Sequence, residues 1–139
     1  MLDRVFLDTN IIIYLYSEDD KLKRNVACDV LDNYNCVTSI QVMNESSNVW
    51  FSKSKWSEEK IKEHLDNIEM VCEDVLPVLR ETINTAIYIK GRYNFSYFDS
   101  LMIASAIESD CGILFTEDMS NGQVIDGILK IVNPFDKTP

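Results

Sequence analysis

The sequence predicts an α/β protein: a mainly parallel sheet with helices packed around it. Three observations carry that expectation. Short, wholly apolar runs, Val5-Phe6-Leu7 and Ile113-Leu114-Phe115, have the character of strands covered on both faces. Other stretches place apolar residues at helical spacing. The two kinds of segment alternate along the chain, as in strand–helix–strand units with right-handed crossovers. The 139 residues fit one domain, 1–139, with no repeat, low-complexity segment or linker.

Taken in order, Val5-Phe6-Leu7 is the first strand and residues 11–16 a short helix, which Thr9 or Asn10 can cap. Asp19 or Asp20 can cap a second helix over 21–34, with Leu22, Val26, Val30 and Leu31 on one face. Cys36-Val37-Thr38 is a second strand, and Ser39 caps a third helix over 40–52 with Val42, Val49 and Trp50 inward. Ser57 opens a solvated, highly charged helix. Residues 69–75 form a weak strand ending before Pro77. A long helix over 77–93 turns Leu79, Ile83, Ala86, Ile87 and Ile89 inward, and Gly91 suits its end or a kink. The helix through Asp99 to Glu108 is apolar nearly all round, hence buried. A strand over 113–116, a turn at Asn121-Gly122 and a last strand over 129–132 complete the chain.

Composition narrows the function. Apolar residues make up 46% of the chain, so it folds. No apolar run approaches the ~18 residues a membrane helix needs. Asp3 and Asp8 interrupt what would have to be a secretion signal, so a cytoplasmic location is expected. Cys28, Cys36, Cys72 and Cys111 contain no C-x-x-C pair, which argues against a zinc knuckle or redox dithiol and for free thiols. The single histidine, His64, lies in a charged helical stretch and reads as a solvated residue, so if the chain is an enzyme its tools are carboxylates and metal. The formal net charge of −10 is opposite to that of most nucleic-acid binders. It is explained by a metal site gathering carboxylates, by a basic partner, or by a substrate other than nucleic acid.

Four acids stand where such a site would be built. Asp8 ends the first strand, at the rim where open parallel sheets bind ligands, although it could equally be a helix cap. Glu45 falls beside the apolar face of the third helix, where a carboxylate is costly unless paired or bound; the alternative is an acid at the stripe's edge reaching solvent. Asp99 occupies the first turn of a buried helix, a position the helix N-terminus alone would favour. Asp118 follows the strand over 113–116, with Glu117 beside it as the rival fourth acid.

Four segments carry a family likeness: Phe6-Leu7-Asp8-Thr9-Asn10, Ser39 through Glu45, Tyr97 through Ala104, and Leu114 through Met119 followed by Gly122-Gln123. In that order they resemble a PIN-domain ribonuclease of the kind that forms the VapC toxin of VapBC-type toxin–antitoxin pairs. The resemblance implies a PIN-like three-layer fold, a central mainly parallel sheet flanked by helices. It implies that Asp8, Glu45, Asp99 and Asp118 form the acidic quartet, binding Mg²⁺ or Mn²⁺, with Thr9 and Thr116 in support. It implies an RNA substrate, a small basic antitoxin and a homodimer. The family often has His before the Gly-Gln pair; here the residue is Asn121.

The chemistry of the residues agrees, since hard divalent cations prefer carboxylate oxygens and can activate water at a phosphodiester. A binding module whose acids only receive a basic segment is the main competing reading. A phosphohydrolase with an Asp nucleophile is a weaker one, because Asp8-Thr9-Asn10 stands where Asp-x-Asp would be wanted. An RNA rim would draw on Lys53 and Lys55 beside Trp56, and on Lys90 and Arg92 beside Tyr93, Phe95 and Tyr97.

Overall fold

The structure is a computed structural model that describes residues 2–136. Strand β1 (Arg4–Leu7) is followed by helices α1 (Thr9–Leu15) and α2 (Lys21–Asn33), then β2 (Asn35–Ser39), α3 (Ile40–Ser52), α4 (Glu58–Val71) and β3 (Asp74–Leu76). The second half runs α5 (Arg80–Tyr93), α6 (Tyr97–Glu108), β4 (Ile113–Phe115), β5 (Val124–Ile125) and β6 (Leu129–Val132). The six strands form one sheet in the order β3-β2-β1-β4-β6-β5, parallel except for β5 against β6. This is the PIN-like α/β arrangement expected from the sequence.

Strand β1 lies between β2 and β4, with Leu7 opposite Phe115. Its Val5, Phe6 and Leu7 are wholly buried, each such side chain contributing roughly 1.5–3 kcal/mol by leaving water. The chain leaves β1 toward β2 on one side and later returns to β4 on the other. Strand order therefore reverses at the β1–β4 boundary, and a crevice opens at the carboxyl ends of these two strands. Helices α1 to α4 pack on one another, and α5 packs on α6, which touches β2 and β4.

Several expectations are corrected. Thr9 and Asn10 do not cap α1; Asp8 does, as its position allowed, its carboxylate accepting from the Thr9 backbone N–H. Leu22 is 79% exposed, because the inward face of α2 runs through Ala27 and Val30. Residues 69–71 continue α4, whose Ile61 and Ile68 are buried two turns apart, and only Asp74–Leu76 form a strand. Helix α4 therefore has an inner face and is not merely a solvated helix. Helix α5 begins at Arg80 and buries Thr82, Ala86 and Ile89, leaving Leu79 and Ile87 exposed. Gly91 lies inside α5, which ends instead at Asn94 in the left-handed region at φ 61°. Strand β5 was not anticipated. It forms a hairpin with β6 through Asp126 and Gly127, both at positive φ, as a tight hairpin turn requires.

His64 is also displaced from its expected place in solvent. It is half-buried, its Nδ1 meets the Lys60 carbonyl at 2.7 Å, and its ring lies against Tyr16, Trp50 and Trp56. A carbonyl can only accept, so Nδ1 carries a hydrogen. The four cysteines are free thiols. Among the described residues no helix is long and apolar enough to cross a membrane.

Candidate active site

The crevice at the β1–β4 boundary is a cleft of about 380 Å³. Asp8, Glu45, Asp99 and Asp118 all line it, with Thr9, Asn10 and Tyr14 from α1 and the basic Lys53 at the end of α3. The parallel register explains the convergence. Asp8 directly follows β1 and Thr116 directly follows the neighbouring β4, whose last residues are paired. Ser39 caps α3 by accepting from the Val42 N–H at 3.2 Å, which starts that helix at the end of β2 and carries Glu45 to the cleft. Ser96 caps α6 in the same way at Asp99.

Three of the four carboxylates, those of Asp8, Glu45 and Asp118, are held by neighbours. Asp8 is 5% exposed; one oxygen accepts from the Thr116 hydroxyl at 2.5 Å and the other from the Thr9 N–H at 2.5 Å. The Thr9 hydroxyl donates to Glu45 Oε2 at 2.7 Å, and the Gln41 amide to Glu45 Oε1 at 3.0 Å. The Asn10 amide donates to Asp118 Oδ2 at 2.9 Å. Thr116 also accepts from the Asp118 N–H at 3.2 Å, so one threonine ties two of the acids together.

The acids repel one another. Burial, opposed in part by the Thr116 and Thr9 hydrogen bonds, pushes the Asp8 carboxyl up to about 6, and the charges of Asp99 and Glu45 add to the rise. Asp99 is likewise raised, chiefly by burial, with Asp118 and Glu45 contributing. A cleft that resists holding all its negative charge is one a cation would relieve. The donors are carboxylate and amide oxygens, suited to a hard cation rather than to zinc. Among the described residues no three acid, thiol or imidazole groups are drawn together into a ready-made ion cage. Mg²⁺ does not require one, since it retains several waters and uses one or two carboxylates.

Glu117 points elsewhere. Its carboxylate pairs with Lys23 and accepts from the Tyr14 hydroxyl at 2.8 Å, while Lys23 also donates to Tyr14 at 3.1 Å. Asp118 is the one that lines the cleft. Of the four rim cations, Lys53 lines the cleft and Lys55, Lys90 and Arg92 do not. Lys90 donates to the Phe95 carbonyl at 3.1 Å, and Arg92 pairs with Asp126 at 3.3 Å. Sequence reasoning missed Asn10 and Gln41 as the amides that fix Asp118 and Glu45. The spacing of Gln41 one turn before Glu45 was the available signal.

Residues 5–120 match the PIN domain family. The chain belongs to that family. Solved structures resemble this PIN domain in fold at low sequence identity. A toxin–antitoxin complex from Klebsiella pneumoniae matches with a TM-score of 0.72 and 16% identity, covering 95% of this chain and 98% of that one. The VapBC2 complex of Rickettsia felis, bound to a promoter DNA fragment, matches with a TM-score of 0.65 and 18% identity over 94% and 99% of the two chains. VapC20 of Mycobacterium tuberculosis, described as a sarcin–ricin loop cleaving toxin, matches with a TM-score of 0.64 and 16% identity over 79% and 86%. No curated protein matches this PIN domain in sequence.

Proposed function

We propose that the chain is a divalent-metal-dependent endoribonuclease, the toxin half of a toxin–antitoxin pair. The observation that carries this reading is the convergence of Asp8, Glu45, Asp99 and Asp118, from four separate segments, on one cleft. Membership of the PIN domain family and likeness in fold to toxins of toxin–antitoxin complexes support it.

Asp8 and Asp99 would be the principal ligands of Mg²⁺ or Mn²⁺, with Glu45 and Asp118 completing the set directly or through water. Such an ion, when bound, offsets phosphate charge and lowers the pKa of water. The chain's own groups do the rest. Thr116 and the Thr9 N–H hold the Asp8 carboxylate in one orientation. Glu45, fixed by Thr9 and Gln41, takes a proton from the attacking water. Lys53 meets a phosphate oxygen. Water adds to phosphorus, the P–O3′ bond breaks, and the ribose 3′ oxygen leaves and takes a proton from solvent, giving 5′-phosphate and 3′-hydroxyl ends.

The partners follow from the same cleft. Its acids suit the guanidinium or ammonium of a basic antitoxin segment. The active form is a homodimer, to be checked by sedimentation at micromolar concentration.

The deciding experiment incubates RNA of mixed sequence with the chain in Mg²⁺, in Mn²⁺ and in EDTA, beside Asp99→Asn. Cleavage by wild type alone, only with metal, and with 5′-phosphate ends is expected. Cyclic phosphate ends or full activity in EDTA would overturn the mechanism. RNA bound but left uncut would make the chain a binding module.

A further inference from the structure

A second hollow, of about 390 Å³, lies against the acidic cleft and shares Glu45 with it. Its other lining residues are Gln41, Asn44, Asn48 and Phe98. None of the five is a cation, and three are primary amides.

The placement of these residues follows the acids closely. Asn44 directly precedes Glu45 on α3, and Phe98 directly precedes Asp99 on α6. The two elements that deliver an acid to the cleft thus each deliver a neighbour to the hollow. Phe98 is 58% exposed, although burying such a ring is ordinarily favourable. The Tyr97 ring meets it edge-on at 5.6 Å. Gln41 is engaged with Glu45. Asn44 and Asn48, one turn apart on the exposed side of α3, make no side-chain hydrogen bond among the described residues.

We propose that this hollow takes one unpaired nucleobase of the RNA substrate, next to the phosphate held in the cleft. The base stacks on Phe98, and Asn44 and Asn48 read its edge. This rests on the ribonuclease reading above. An amide offers both donors and an acceptor, the complement that base edges present. A ring face and amides bind a base without positive charge, which suits a chain of net charge −10. A base inside a duplex has its faces and pairing edge occupied, so the occupant must be unpaired. Because the two hollows share Glu45, the occupant is a nucleotide next to the cut.

The test uses the full chain in EDTA and fluorescein-labelled single-stranded homopolymers of A, C, G and U, read by anisotropy. Phe98→Ala should weaken the preferred homopolymer about fivefold to a hundredfold, by loss of one stacked base. The loss should persist at high salt, and Phe98→Tyr should restore binding. Asn44→Ala with Asn48→Ala should flatten the differences among the four homopolymers. Equal binding of all four by wild type and Phe98→Ala would overturn the proposal. So would a changed sedimentation coefficient for Phe98→Ala, which would make the hollow a contact between copies. If Phe98→Ala does not fold, the double asparagine variant decides alone. Binding that depends on Phe98 without cleavage in Mg²⁺ or Mn²⁺ would keep the pocket and sink the ribonuclease. Cleavage indifferent to Phe98 and to the two asparagines would do the reverse.

Discussion

The Thr116 hydroxyl donates to the buried Asp8 carboxylate at 2.5 Å, joining residues 108 apart in sequence. The same hydroxyl oxygen accepts from the Asp118 N–H. Thr116→Val keeps the shape and removes both functions. It should destabilise the fold by about 1–3 kcal/mol, the range for leaving buried polar groups unpaired. Chemical denaturation would measure this, and cleavage should then require more Mg²⁺.

Asp8 makes metal-free stability depend on pH. Its ordinary value of 3.8 rises to about 6 in the folded chain. Between those values the folded state binds more protons than the unfolded one. Stability should therefore fall as pH rises through that window, by up to about 3 kcal/mol. Asp8→Asn should remove that slope and be the more stable protein in EDTA at about pH 7.5, while losing cleavage. Mg²⁺ or Mn²⁺ should raise wild type more than the variant. Thermal unfolding at about pH 5 and about pH 7.5 decides it: a variant less stable than wild type in EDTA at both would show that burial, with the nearby Asp99 and Glu45, does not disfavour the charged Asp8.

Glu117 and Asp118 should separate cleanly. Glu117→Gln breaks the pair with Lys23 outside the cleft, so it should cleave RNA at the wild-type rate. Its stability loss should be about 1 kcal/mol or less, since the pair is partly exposed. Asp118→Asn should lose activity with its fold intact. Initial rates and melting curves of both variants check this; inactive Glu117→Gln with active Asp118→Asn would exchange the two roles.

Among the cations, Lys53→Glu should weaken RNA binding most and lower the salt slope by about 0.7, the value for one phosphate contact on a single strand. Lys90→Glu with Arg92→Glu should weaken binding less, because neither lines the cleft and Arg92 is engaged with Asp126. Titrations at several salt concentrations give both slopes. Equal effects from the two sets would place the strand along α5 instead.

The sequence made the site visible because its signals are local. An apolar strand that stops at an acid marks the end of β1 without knowledge of the rest of the fold. The bounds of α3 were legible for the same reason, with Ser39 before it and a periodic face within it. The inward face of α5 was only partly legible: Ala86 and Ile89 are buried as expected and Ile83 packs against the cluster that holds Ala86, but Thr82 was not foreseen. Thr82 is buried there because its hydroxyl donates to Glu108 at 2.9 Å, a partner 26 residues away. Ile87 stays outside. His64 was misplaced similarly, since its neighbours Tyr16 and Trp50 come from the residue that closes α1 and from α3. Hydropathy cannot anticipate a polar or aromatic residue whose burial depends on a distant partner.

The sheet order has a consequence for biosynthesis. A ribosome delivers β1, β2 and β3 early, but the neighbour that closes the other side of β1 is β4, which begins at Ile113. A nascent chain stalled before that point carries Asp8, Glu45 and Asp99 yet has neither Thr116 to hold Asp8 nor Asp118 to complete the set. The half-made protein therefore lacks both the threonine that ties Asp8 and the last acid lining the cleft, so the site is assembled only once the segment from Ile113 to Asp118 has been made.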